Sequence, residues 1–482
     1  MKKTNIKKNY IYNLLYQIIA LILPIIITPY VSRVLGANNI GIYSYTISIT
    51  TYFITFGSLG IALYGQREIA YVQGDPIKYS KLFWEVILCR FISTFMSLVL
   101  FYSIFVFRTN LYQKYFFILT FEIISSIFDI SWFFMGLEEF KKTIARNLII
   151  KVLSVIAIFV FVKSGNDIKN YFYIYVFSML AGNLSLWLYL PKYLRKIALK
   201  NLSLKKHIKP TLSLFIPQIA VQIYTLLDKT MIGVIISDKS EVGYYEQSQK
   251  IVKMLLTIVT SLGTVMMPRI ANNFALGKKE KIREYMSKSF NLVFAISFPL
   301  IFGLIAVSDC FVPIFFGNGY DKVALLMKII TPIILLIGLS NVTGTQYLLP
   351  TKRQKEYTTS VVIGACVNFI FNIALIPKYG AIGASVGTVI AELTVTFIQA
   401  YFVRNDFKFS AIFNMSLKYL FSSIIMFIVC YLISVIVESN LVSILLQVSC
   451  GGITYVLILI ILKDKFLLSI INRIIKKFKI KK

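Results

Sequence analysis

The chain has 482 residues, 57% hydrophobic and 15% aromatic, with a formal net charge of +30 and a mean hydropathy of +0.75. So apolar a composition excludes a soluble globular domain and predicts an all-α protein that crosses a membrane many times. The charge would suit nucleic acid in a soluble chain, but here it falls between apolar segments, which excludes nucleic acid as a partner.

A span needs roughly 17 to 25 mostly apolar residues, and on that ruler the chain reads as about fourteen transmembrane helices. Ile11 to Ser32, Gly41 to Leu63, Leu82 to Val106, Tyr115 to Met135, Leu148 to Val162 and Tyr171 to Leu190 come first. Leu212 to Ile236, Gln247 to Ala271, Phe290 to Val307, Val323 to Tyr347, Thr358 to Ile376 and Ala381 to Val403 follow. Ser416 to Val437 and Leu441 to Leu462 close the series. The apolar stretch after the basic start is too long for a signal core, so it is expected to stay as the first span.

The loops alternate in charge. One side collects Lys2, Lys3, Lys7 and Lys8, then Arg67, Lys78 and Lys81, then Lys141, Lys142 and Arg146, then the run from Lys192 to Lys209. The same side takes Lys278 to Lys288, Lys352 to Lys355, Arg404 to Lys418 and the tail from Lys463. The other side is nearly bare, with scattered cations such as Arg33, Lys163 and Lys239 among acids such as Asp167, Asp238 and Glu241. This is the positive-inside pattern, and it predicts a multi-pass protein of the cytoplasmic membrane with both termini in the cytoplasm.

Two echoes suggest a duplication. Ser32, Arg33, Val34, Leu35, Gly36, then Gly41 and Tyr43, is answered by Asp228, Lys229, Thr230, Met231, Ile232, Gly233, then Gly243 and Tyr244. Trp132 to Lys142, closing the fourth span, is answered by Gln346 to Lys355, closing the fourth span after the basic connector Pro191 to Pro210. Six spans per repeat return the chain to its starting side, so the lobes are expected to be related by a pseudo-twofold along the membrane normal. The divisions are 1–200, an N-terminal six-helix lobe; 201–405, a C-terminal six-helix lobe; and 406–482, two additional helices with a basic cytoplasmic tail.

Charges left within spans cost roughly 2.5 to 3.5 kcal/mol each near a helix centre, so they face a cavity or a partner. The first lobe has Glu85, Arg90, Glu122, Asp129 and Lys151; the second has Asp228, Lys229, Lys250, Lys253, Arg269, Lys328 and Glu392. Cations outnumber acids. With Arg33 added, the interior is expected to suit an anionic passenger such as a phosphate or pyrophosphate, held by Arg33, Lys229, Arg90, Lys250 and Lys253. Competing readings stay open. Arg33 could snorkel to the headgroups, Lys229 could be neutralised by Asp228, and Lys250 and Lys253 could begin their span at the outer surface. Glu122 and Asp129, seven apart and so on one helix face, are either an ion-coupling pair with Asp228 and Glu392 as further candidates, or structural partners for Arg90 and Lys151. His207, the sole histidine, stands in the basic connector and is expected to be solvated. The five cysteines stand apart without metal or disulfide spacing, so no metal site is expected. No carboxylate pair, histidine cluster or phosphate-cradling loop sits where catalysis could use it, so no enzyme and no cofactor is expected.

The strings TPYVSRVLGANNIGIYS, LLDKTMIG with SEVGYYEQSQKIV, MMPRI and LIPKYGAIGASVGTVIAE, in this order and spacing, resemble the bacterial oligosaccharide flippases of the multidrug/oligosaccharidyl-lipid/polysaccharide exporter superfamily. The resemblance implies alternating access around a central cationic cavity. It implies export of an undecaprenyl-pyrophosphate-linked repeat unit to the outer leaflet for capsule or other surface polysaccharide. Membrane lipid and assembly proteins such as a polysaccharide polymerase would be partners, and Arg33 and Lys229 would hold the anionic head. A lipid II flippase differs chiefly in passenger. A drug exporter of the superfamily would favour an acidic cavity and twelve spans, and a polymerase or ligase would need a larger outer loop. Moving a pyrophosphate out of a negative interior gains about 2.3 kcal/mol per charge per 100 mV, so the potential could drive the cycle, with ion antiport as the alternative.

Overall fold

The computed structural model describes residues 6–468 except 109, 110, 199, 201, 439 and 465; side chains are described from residue 22 on, except at 140, 216, 217, 220, 221, 262, 264 and 265. All regular structure among these residues is helical. The chain separates into two compact units, 1–243 and 244–482.

The first unit contains α1 Ile6–Ser58, α2 Ile61–Val72, α3 Pro76–Phe101, α4 Gln113–Ile127, α5 Ser131–Gly136, α6 Phe140–Phe161, α7 Ile168–Trp187 and α8 Lys205–Ile235. The first two expected spans run together as α1, which is two helices meeting at Gly36, whose φ of 74° is a left-handed conformation that a glycine adopts without strain. Asp75 starts α3, its carboxylate accepting the backbone N–H groups of Ile77 and Lys78 at 3.0 and 3.1 Å ahead of a helix whose first residue is Pro76. The fourth expected span is broken into α4 and α5. The Trp132-Phe133-Phe134 run of α5 is an aromatic core: Phe83 of α3 lies 5.7 Å from Trp132 and 5.1 Å from Phe133, centroid to centroid. A Cβ on Gly65 of α2 would stand 2.4 Å from the Trp132 ring, so the absent side chain lets α2 close onto α5.

The glycines of the first echo meet in space. A Cβ on Gly41 would fall 1.6 Å from the Lys239 carbonyl oxygen and 3.0 Å from the Gly243 nitrogen; one on Gly243 would fall 2.1 Å from the Ala37 oxygen. Main chain therefore packs directly on main chain beside the part of α1 that follows Gly36. Gly233 of α8 faces Tyr45 in the same manner, with a built Cβ 2.0 Å from its ring. Lys239, read from sequence as an exposed loop cation, is buried, donates Nζ–H to the Ile236 carbonyl at 2.7 Å and lies 5.4 Å from the Tyr45 ring centroid. Burial lowers its pKa from the ordinary lysine value, against the opposing pull of Asp238.

The connector also differs from expectation. Helix α8 begins at Lys205, inside the stretch read as a solvated loop, and His207 on its first turn is buried at 2% exposure. The reason is a partner far away in sequence: Glu85 of α3, 1% exposed, faces His207 Nε2 at 2.9 Å and Lys206 Nζ at 2.8 Å, and accepts the Ser203 N–H at 2.8 Å. On its other side His207 Nδ1 meets the Tyr64 hydroxyl of α2 at 2.6 Å. Tyrosine, imidazole and carboxylate thus tie the start of α8 to α2 and α3.

The second unit, with α9 entering it from residue 240, contains α9 Ser240–Ala275, α10 Lys279–Phe316, α11 Asp321–Ile330, α12 Ile333–Ser340, α13 Gln354–Tyr379, α14 Ala381–Phe402, α15 Phe409–Ile436 and α16 Leu441–Ile461. A π-helical stretch, Asn341–Leu348, continues α12. Its interior is joined by amides and hydroxyls: Thr343 donates to Gln399 Oε1 at 2.7 Å while Gln399 Nε2 donates to Ser360 at 3.0 Å. Arg353, from the second echo, donates Nη1–H to Asp406 at 2.7 Å and Nε–H to Glu356 at 3.0 Å. Helices α15 and α16 pack on α10, where the Tyr455 hydroxyl donates to the Ala295 carbonyl at 2.8 Å and Lys418 pairs with buried Asp464.

Twelve helical stretches among the described residues are long and apolar enough to cross a membrane. One of them, Ile22–Val72, has 51 residues and so about 76 Å of helix, more than twice a bilayer core. Helix α8 lies outside the twelve. These two facts account for the difference from the about fourteen segments expected by length.

Candidate functional site

Polar residues in a membrane helix are costly, so their clustering marks a place with a task. In α4, Glu122, Ser125 and Ser126 are buried on one face. The helix stops at Ile127 and restarts at Ser131 because Asp129 accepts both the Ser131 N–H at 3.0 Å and the Ser131 hydroxyl at 2.6 Å. This break removes the continuous helix on which Glu122 and Asp129 were expected to share a face. They reach one cavity instead, Glu122 from α4 and Asp129 from the break itself.

That cavity, about 400 Å³, lies within the first unit, lined chiefly from α3, α4, α6 and α7. From α3, Arg90, 4% exposed, donates Nη1–H to the Asp129 carbonyl at 3.0 Å and places Nη2 at 3.8 Å from its carboxylate. From α6, Arg146 donates Nη1–H to the Gly182 carbonyl at 3.3 Å and to Asn183 Oδ1 at 3.1 Å, and Nε–H to Asn147 Oδ1 at 3.0 Å. From α7, Tyr175 donates to Glu122 Oε1 at 2.9 Å, and Asn183 donates to the Ser125 carbonyl at 2.9 Å. Two buried atoms are left over. Arg90 Nε and Glu122 Oε2, the latter on a residue 6% exposed, have no hydrogen-bond partner in the protein.

The other expected site residues stand elsewhere. Arg33 is exposed on α1, three residues before the Gly36 kink. Asp228 is buried and Lys229 half-buried on α8, next to Thr230, whose hydroxyl meets Ser48 at 3.1 Å and Tyr52 at 3.3 Å on α1. Arg33 and Lys229 thus belong to a packed helix pair, α1 and α8, and neither lines the 400 Å³ cavity. In the second unit Lys250 is half-buried and Lys253 exposed on α9, and Glu392 is buried on α14. Lys328, expected in a span interior, pairs at 2.5 Å with the exposed Asp309. No group of three His, Cys, Asp or Glu side chains suited to a metal ion occurs among the described residues. Sequence reading missed Arg146, assigned to a loop, and Asn183 and Tyr175. A signal was present, since Glu122, Ser125, Ser126 and Asp129 recur at helical spacing in an otherwise apolar stretch.

Comparison with known proteins gives concordant results. A putative O-antigen transporter of Escherichia coli (strain K12) is 24% identical over 408 residues, 84% of this chain and 98% of that protein. A probable low-salt glycan biosynthesis flippase, Agl15, of Haloferax volcanii is 25% identical over 283 residues, 56% of this chain and 57% of that protein. Among solved structures, the lipid II flippase MurJ in an inward closed conformation superposes with a TM-score of 0.76 at 18% identity, over 94% of this chain and 99% of that one. An inward-facing multidrug resistance MATE family transporter of the MOP superfamily superposes with a TM-score of 0.64 at 13% identity, over 85% of this chain and 96% of that one. The fold is therefore that of these transporters. A second family model, MatE, matches residues 214–374. These relatives are transporters and flippases, not enzymes, and the chain is a multi-pass membrane transporter of that kind. The family model described as polysaccharide biosynthesis protein matches residues 6–274, more than half of the sequence, and the chain belongs to that family.

Proposed function

We propose that this protein flips undecaprenyl-pyrophosphate-linked oligosaccharide repeat units from the cytoplasmic to the outer leaflet of the cell membrane, for capsule or related surface polysaccharide. The observation that carries the reading is the likeness to an O-antigen transporter over 98% of that protein's length, in a chain whose family is that of polysaccharide biosynthesis. Both termini face the cytoplasm, the charge of the loops being the support. The halves 1–200 and 201–405 alternate access around a cationic cavity, the helices of 406–482 are an addition to them, and a polysaccharide polymerase takes the product.

Arg33 and Lys229 hold the pyrophosphate in this reading. Arginine forks onto phosphate oxygens and lysine offers a point charge, and their helices, α1 and α8, are in contact. Lys250, Lys253 and Arg90 add positive potential, and Asp228, Glu122, Asp129 and Glu392 serve structure or ion coupling. The test is complementation of a host strain that lacks this chain. Arg33→Ala and Lys229→Ala are expected to abolish surface polysaccharide while the protein still inserts, and Arg33→Lys to restore part of it. Normal export by the doubly substituted protein would refute the assignment.

A further inference from the structure

A second cavity, about 620 Å³, lies within residues 244–482, where the starts of α10 and α15 meet the link between α14 and α15. Its volume is that of a small-molecule site, typically about 300–1,000 Å³. Among the described residues of its wall stand three cations, Arg283, Arg404 and Lys408, and one acid, Asp406. The acid is already committed, because its carboxylate accepts Arg353 Nη1–H at 2.7 Å. Glu284, next to Arg283, pairs with Lys288. Arg404 is held in place without being neutralised: it lies 3.7 Å from the Tyr401 ring centroid and donates Nη1–H to the Tyr401 carbonyl at 3.0 Å. Ser410 and Ala411 of the wall stand on the first turn of α15, which has no side-chain cap, so the positive end of a 28-residue helix adds to the cations. All three cations are exposed, so a ligand can reach them.

The remainder of the wall is largely apolar. Phe290 lies about two turns along α10 from Arg283, and Met415 about two turns into α15. Phe407 closes the link onto them, 6.3 Å from Phe290 between ring centroids. Helices α10 and α15 both belong to candidate membrane spans, so the cations stand at the span ends and the carbon surface lies further in. That order, cations at the helix ends above carbon, is the order of a phospholipid: phosphate outermost, then glycerol and the first methylenes. A soluble phosphate would use the cations and leave the apolar wall in water. A zwitterionic head would bring an ammonium among three cations whose one acid is spent on Arg353.

We propose that this cavity holds the phosphate-bearing headgroup of an anionic membrane phospholipid, with Arg283, Arg404 and Lys408 as its ligands at the junction of α10, α14 and α15. The lipid is a resident of the bilayer, so the proposal does not depend on which passenger is transported.

The test uses the purified full chain in detergent and a short-chain phosphatidylglycerol that carries a photoactivatable diazirine at its headgroup, with crosslinks mapped by peptide mass spectrometry. Wild type is expected to be labelled within 283–290 and 404–412. Unlabelled phosphatidylglycerol should displace the label at lower concentration than phosphatidylcholine of the same chain length or inorganic phosphate. Arg283→Gln, Arg404→Gln and Lys408→Gln should each weaken binding by about 5-fold, and together by roughly 100-fold. Lys192→Gln, Lys196→Gln and Lys200→Gln together, an equal loss of charge outside the cavity, should leave the labelling unchanged. Labelling spread evenly over the basic loops, or lowered as much by that control set, would overturn the site and leave these cations as topology signals. Equal displacement by phosphatidylcholine would overturn the selection for negative charge, and equal displacement by inorganic phosphate would overturn the lipid in favour of a soluble anion.

Discussion

The two units bury polar groups in different ways. In residues 1–243 full charges are taken inside: Glu85, Arg90, Glu122 and Asp228 are all buried. In residues 244–482 Glu392 and Asp464 are buried too, but there the interior also takes in neutral amides, Gln247, Gln249, Gln346, Asn368, Asn372, Gln399 and Gln447. Arg353 there meets its acids at a helix start, and Lys418 and Asp464 meet near the ends of α15 and α16. Neutral hydrogen bonds between membrane helices are worth about 0.6 kcal/mol on average, and they suffice to align helices. A buried charge is several-fold more costly to leave unpaired, so a unit that keeps such charges is held for more than packing.

The contrast predicts a graded series in unfolding measurements on the full chain. Asp129→Ala should have the largest effect, about 3–5 kcal/mol, because it leaves the Arg90 guanidinium buried without its carboxylate and removes the two bonds that Asp129 accepts from Ser131. Asp129→Asn should lose less, since an amide oxygen still accepts from Ser131. Replacing the pair together, Arg90→Met with Asp129→Leu, should recover most of the loss. A double variant as unstable as Asp129→Ala would mean that the two side chains do not act as a pair.

Next in size is the tie at the start of α8. His207→Ala should destabilise by about 1.5–3 kcal/mol, the range for hydrogen bonds to charged groups, and should speed hydrogen exchange in the first turns of α8. An unchanged exchange pattern would show that Lys206 and Ser203 hold Glu85 without the imidazole. Gln399→Leu in the second unit should cost about 1 kcal/mol, one ordinary buried network position. A loss as large as that of Asp129→Ala would erase the difference between the units. Lys328→Ala, which breaks an exposed ion pair with Asp309, should fall within about 1 kcal/mol of wild type.

Much of this was legible in the sequence, for identifiable reasons. Span length and hydropathy carry the helical membrane class, and the glycines of the first echo, Gly41 and Gly243, were visible as a repeat because small residues recur at matched positions. That they pack against each other was not visible, since repetition says nothing of contact. His207 was misread because a lone histidine among lysines resembles a solvated loop, and its partner Glu85 lies 122 residues away. The break at Asp129 was missed for a similar reason. An acid in an apolar run reads as a helix face, and only the hydrogen bonds to Ser131 show it ending one helix and starting another. Arg33 and Lys229 stand out in the sequence as cations in apolar segments, whereas the cavity at Glu122 needs four helices to come together.

The central claim is passage of a lipid-linked oligosaccharide, and it is tested most directly in proteoliposomes that contain the purified chain and the host's lipid-linked repeat unit. Accessibility of the glycan to an external glycosidase is followed over time. Wild type should move the glycan between leaflets well above the rate of protein-free vesicles and respond to an imposed potential of either sign without a proton or sodium gradient. The Arg33→Ala, Lys229→Ala double variant should return to the protein-free rate. A wild-type rate equal to that of protein-free vesicles, with lipid II or a cationic drug transported instead, would contradict the account.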